Sequence, residues 1–198
     1  MATRITTMIF LVLASSLTTM GQERLSCGTT PPTRAQKAML EQQFTLEKSL
    51  LSRIANRNVT EIAIVAHIIR RDNGTGGITE SELNEALDNV NAFYSNANLS
   101  FFYITFNYID ETQYFDFITS DEGEMRSKYN YDGMMNVYFA NSVGDGEGGF
   151  FCGYAYFPGG PDVILMDNGC TMNGSTYPHE IGHFFSLYHT HGTTNNGT

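Results

Sequence analysis

The feature that most restricts what this chain can fold into is "HEIGHFFSLYH" at 179–189. His179 and His183 are four residues apart, so on a helix their imidazoles stand one turn apart on the same face and both reach one ion. His189 cannot join them from a continuous helix. Ten residues on, it would lie about 15 Å up the axis. If all three histidines act together, the helix must end after His183 and the chain must turn back. Such a turn normally uses a glycine with positive φ, and the residue at that place is Ser186. A left-handed serine costs roughly 1–2 kcal/mol, less than the binding of a metal returns.

The residue types suggest the chemistry. Three neutral imidazoles suit Zn²⁺, and a catalytic zinc keeps its fourth position open for water. Glu180, next to the first ligand, is placed to act as general base on that water and to pass the proton to a leaving amine. The expected set is therefore His179, His183 and His189 as metal ligands and Glu180 as base. His191 reads as solvent-exposed or supporting, and His67, inside an apolar run, as a hydrogen-bonded core residue.

The region upstream predicts an α+β domain. "EIAIVAHIIRR" (61–71) has the continuous β-branched character of a buried strand. Leu83, Leu87, Val90 and Tyr94 form one apolar stripe of a helix, begun by a capping-box pair, Thr79 and Glu82. Further strands are expected at 99–109, 134–140, 150–157 and 162–167, and a short polar helix with loop at 120–131. Pro178 suits the first turn of a final helix. The expectation is a mixed five-stranded twisted sheet with a backing helix and an active-site helix. The glycine loop 142–149 is acidic, but it lacks the spaced carboxylates of a recognisable calcium site.

The N-terminus has the pattern of an export signal over 1–21. Arg4 precedes an apolar stretch at 8–17, which small residues follow. That stretch is about half of what a membrane-spanning helix needs. Residues 22–58 read as a leader or pro-segment, with a helix over about 34–56 and no core-forming strand. The catalytic domain is then 59–198. Three cysteines fit an oxidising compartment. A bridge between Cys152 and Cys170 leaves Cys27 as the odd one. The net charge of −10, with only 11 Lys plus Arg, argues against nucleic acid as a partner. Oligomeric state is not legible.

"HEIGHFFSLYH" resembles the long zinc motif H-E-x-x-H-x-x-G-x-x-H of the metzincin peptidases. "LYHTHG" and "YAYFPGGPDVILMDNGC" resemble the pappalysin (cytophagalysin-like) branch of that clan. The resemblance covers about 60–198. It implies a metzincin-like N-terminal subdomain, zinc on His179, His183 and His189, Glu180 as the base, and a protein or peptide substrate added along the antiparallel edge strand 150–157. "RLSCGT" resembles a cysteine-switch segment, which implies that Cys27 holds the open metal position in a zymogen. A lipidated cysteine and a free thiol are the other readings of Cys27.

Two positions depart from the family pattern. Ser186 stands at the glycine, and all nine methionines lie at or before Met172, so no residue after His189 can provide the methionine turn of a C-terminal subdomain. The expected function is a secreted zinc endopeptidase of which the C-terminal subdomain is missing. The alternative is a truncated or degenerate metzincin that binds zinc or a partner without catalysis.

Overall fold

A computed structural model describes residues 26–51 and 58–189. The export-signal reading at 1–21 and His191 lie outside the described residues. In chain order the elements are β1 (Ser26–Cys27), α1 (Arg34–Leu51), β2 (Thr60–Arg70), α2 (Glu80–Tyr94), β3 (Leu99–Asp110), α3 (Thr112–Phe115), β4 (Asp116–Ile118) and α4 (Glu122–Tyr129), then β5 (Met135–Ala140), β6 (Ser142–Gly144), β7 (Phe150–Ala155), β8 (Val163–Asp167), α5 (Asn168–Thr171) and α6 (Thr176–Phe184).

The architecture is α+β with a mixed sheet, but the sheet holds more strands than the five expected. Seven follow the order β3-β2-β5-β8-β7-β6-β4, and β1 pairs with β7 outside that path, giving eight. The three additions, β1, β4 and β6, are two or three residues long, too short to carry a period-2 signal. Before residue 58 the one strand among the described residues is the two-residue β1, which contributes nothing to the core, and β6 occupies the start of what reads as a glycine loop. Strands β2, β3, β5 and β8 are mutually parallel where they pair, whereas β7 is antiparallel to both β8 and β6.

Both faces of the sheet are buried, which explains the unbroken apolar character of β2. On one face Ile64, Ala66 and Ile68 pack with Leu83, Ala86, Leu87 and Val90 of α2 and with Tyr177 and Ile181 of α6. On the other, Ile69, Tyr138 and Leu165 pack with Tyr114 and Phe115 of α3 and Met125 of α4. The Thr79–Glu82 capping box is present in both directions at the start of α2. Tyr94, at the end of α2, donates to the Pro178 carbonyl at 2.8 Å and fixes α6 against its neighbour.

His67 is fully buried in β2. Its Nε2 lies 3.0 Å from Asn136 Oδ1, its Nδ1 2.9 Å from Asn107 Nδ2, and its ring stacks on Tyr138. One donor and one acceptor are what a neutral imidazole offers. Burial pushes its pKa down to about 4. It is a buried core residue and not one of the clustered metal-ligand candidates. The leader helix α1 is loosely attached by comparison. Leu40 is buried, while Met39 and Phe44 of the same helix are exposed.

Candidate metal centre

Helix α6 begins at Thr176, with Pro178 in its first turn, and ends at Phe184. Its end is a Schellman turn. Ser186 N–H donates to the His183 carbonyl at 2.9 Å and Leu187 N–H to the Gly182 carbonyl at 2.8 Å. Ser186 has φ of 72°, the left-handed conformation its position requires. The turn has two consequences. It reverses the chain so that His189 comes back to the helix, and it aims the Leu187 carbonyl at His183 Nδ1, 2.7 Å away. Nδ1 therefore carries the proton, and Nε2 presents its lone pair.

The three expected ligands do come together. His183 Nε2 lies 3.0 Å from His179 Nε2 and 3.1 Å from His189 Nε2, and the last two are 3.1 Å apart. A fourth donor joins them from 156 residues away: Cys27 Sγ is 3.6 Å from His183 Nε2. All four ligand atoms lie within 4.8 Å of one another. A tetrahedral zinc with nitrogen bonds of about 2.0–2.1 Å and a sulfur bond of about 2.3 Å spaces its nitrogens about 3.3 Å apart and its sulfur about 3.6 Å from each. The three nitrogens, and the Cys27 sulfur against His183, fit that ion within a few tenths of an ångström.

Electrostatics keeps His183 neutral, as a ligand must be, and without an ion keeps the Cys27 thiol protonated. Burial, then the neighbouring Glu180 charge, push the Cys27 thiol up to about 12. Burial pushes Glu180 up to about 7, opposed by Cys27 and Thr29. Burial, helped by the other two imidazoles, pushes His183 down to about 4. The protein groups alone thus disfavour a thiolate beside a carboxylate. A divalent cation among them reverses that preference.

Glu180 is fully buried. Its Oε2 accepts from the Thr29 hydroxyl at 2.9 Å. Its Oε1 is buried with no hydrogen-bond partner of normal geometry among the described residues. Gly153 of β7 makes room for it, since a Cβ there would lie 3.2 Å from Glu180 Cγ and 2.7 Å from the Leu165 carbonyl oxygen.

The segment carrying Cys27 lies along β7. Strand β1 pairs with β7 in parallel, Gly28 N–H donates to the Gly153 carbonyl at 2.8 Å, and Ala155 N–H donates to Thr29 Oγ1 at 2.9 Å. Cys152, also on β7, is bridged to Cys170 of α5, just ahead of α6, and Cys27 is the free cysteine. Thr29 and Gly153 carry no motif. The one signal for Thr29 is its spacing: two residues after Cys27 in extended chain, it points to the same side.

The chain is similar to extracellular metalloproteases. One, from Arthroderma benhamiae, is 28% identical over 92% of the chain and 72% of that protein. Another, from Arthroderma gypseum, is 26% identical over 91% of the chain and 65% of that protein. A third, from Colletotrichum graminicola, is 29% identical over 90% of the chain and 69% of that protein. No family model matches. These relatives support a metalloprotease family and a hydrolase acting on peptide bonds with a metal. Among the described residues, no helix is long and apolar enough to cross a membrane.

Proposed function

We propose that the chain is the precursor of a secreted zinc endopeptidase of the metzincin clan, in its pappalysin-like branch. Residues 1–21 are read as export signal, 22–58 as pro-segment and 59–198 as the N-terminal part of the catalytic domain. The observation that carries the reading is the convergence of the Nε2 atoms of His179, His183 and His189 beside buried Glu180, next to the antiparallel strand β7.

His179, His183 and His189 would hold the ion. Zinc bound there supplies Lewis acidity that polarises a scissile carbonyl and acidifies water. Glu180 takes the proton of the attacking water and delivers it to the departing amine. Backbone groups of β7, the Gly153 carbonyl and the Ala155 N–H, bind an extended peptide by main-chain hydrogen bonds. In the precursor those same groups are taken by Gly28 and Thr29. Cys27 occupies the open metal position, so the precursor is latent.

The test uses the full-length secreted protein freed of its pro-segment. Wild type should contain one zinc and cleave casein. The Glu180→Ala variant should keep the zinc and lose activity by about 10²–10⁴-fold. Undiminished cleavage by that variant would rule Glu180 out as the base.

A further inference from the structure

Three consecutive residues of the leader engage three different parts of the centre. Cys27 joins the histidines, Gly28 bonds the Gly153 carbonyl, and Thr29 reaches the base. The approach is close: a Cβ at Gly28 would lie 2.8 Å from the Phe151 ring. Thr29 is the most deeply placed of the three, at 2% exposure. Its single hydroxyl is used in both senses, donating to Glu180 Oε2 and accepting from Ala155 N–H, each at 2.9 Å.

We propose that Thr29 is a positioning residue of the latent state: its hydroxyl occupies, on Glu180 and on the Ala155 N–H, the places that water and a substrate's main chain take in the working enzyme. The proposal deepens the protease reading and rests on Glu180 being the base. Latency then has two anchors, a thiol on the metal side and a hydroxyl on the base side, held together by one extended turn of chain. Thr29 N–H also points to Cys27 Sγ at 3.4 Å, so the two anchors seat each other. Without the hydroxyl, the buried Ala155 N–H and Glu180 Oε2 would both lose their partner. That penalty corresponds to roughly ten- to a hundredfold in the equilibrium for lifting the leader away.

The test reads the leader rather than turnover. Cys152 and Cys170 are bridged, so alkylation of the zinc-loaded, full-length precursor by iodoacetamide, read by mass spectrometry on the peptide that carries Cys27, reports that thiol. Thr29→Val keeps the shape and removes the hydroxyl. It should speed labelling roughly tenfold or more, with zinc content and the Cys152–Cys170 bridge unchanged. Thr29→Ser, which restores a hydroxyl, should stay within about threefold of wild type. If the contact acts through the base, the effect of Thr29→Val should shrink severalfold in a Glu180→Ala background.

Labelling of Thr29→Val at the wild-type rate, or an equal factor with and without Glu180, would overturn the proposal. The two readings fail separately. Faster labelling in a protein that cleaves nothing after pro-segment removal would remove the protease reading and keep the contact. Unchanged labelling in a protein whose processed form is active would do the reverse.

Discussion

His179–His189 and Cys27–Thr29 supply donors to the same cluster, but they are held there by different forces. The first is a local structure. A helix puts two ligands on one face, and a Schellman turn with a left-handed Ser186 returns the third. Leu187, inside that turn, orients His183 through its carbonyl. The second is a borrowed position. Cys27 reaches the cluster only because a two-residue strand lies along β7, its paired residues 125 and 126 positions further on. A site built from neighbours in sequence is intrinsic to the domain, whereas one completed by a distant strand can be undone without unfolding it. On the proposed reading, that is the physical basis for a metal centre that stays and a leader that leaves.

The sharpest way to break the comparison is to remove one donor from each side. His183→Ala should lower zinc affinity by several orders of magnitude, measured by competition with a chromophoric chelator, because it deletes a ligand that the fold holds in place. Cys27→Ser should keep the zinc on three histidines and instead release hydrolysis in the unprocessed protein. If the two variants lost zinc equally, the centre would not be intrinsic to the α6 segment.

Next in size is the Cys152–Cys170 bridge, which ties β7, the strand that carries the leader, to the residues ahead of α6. It closes a loop of 18 residues, so its loss should cost about 3 kcal/mol in chemical denaturation. Reduction under native conditions should raise Cys27 reactivity before it releases zinc.

Acid separates global unfolding from release of the leader. His67 is neutral in the fold, with its pKa pushed down to about 4 by burial, against about 6.5 in an unfolded chain. The stability it contributes is complete above about 6.5 and is lost as pH falls through that window towards 4, on the order of 3 kcal/mol. Denaturant midpoints measured from pH 7 to pH 4 should show that fall, and a His67→Gln variant should show a flatter curve.

The smallest effect is expected at Ser186. Ser186→Gly relieves a left-handed β-carbon and should raise stability by about 1 kcal/mol in thermal melts, whereas Ser186→Val should lower it. Both should leave Cys27 labelling unchanged, since the turn belongs to the helix side.

The same contrast explains what could be read in the sequence. The three candidate ligands, the candidate base and the reversal at Ser186 lie at fixed spacing along one segment, so they can be proposed without a fold. Strands β2, β3, β5, β7 and β8 are long or apolar enough to be recognised. Strands β1, β4 and β6 are not, because two or three residues have no periodicity; their existence is set by the partners they meet. Thr29 was hidden for the same reason. Its two partners, Ala155 and Glu180, lie 126 and 151 residues away, and no property of "CGTT" announces either one. Cys27 could be singled out as the unpaired cysteine, but its place beside His183 comes from the pairing of β1 with β7.

The most direct test of the account is the metal's coordination in the intact, full-length precursor. X-ray absorption at the zinc edge should give one ion bound by three imidazole nitrogens and one sulfur at about 2.3 Å. The sulfur should be replaced by oxygen in Cys27→Ser. A precursor that binds no zinc, or binds it with no sulfur, would contradict the account.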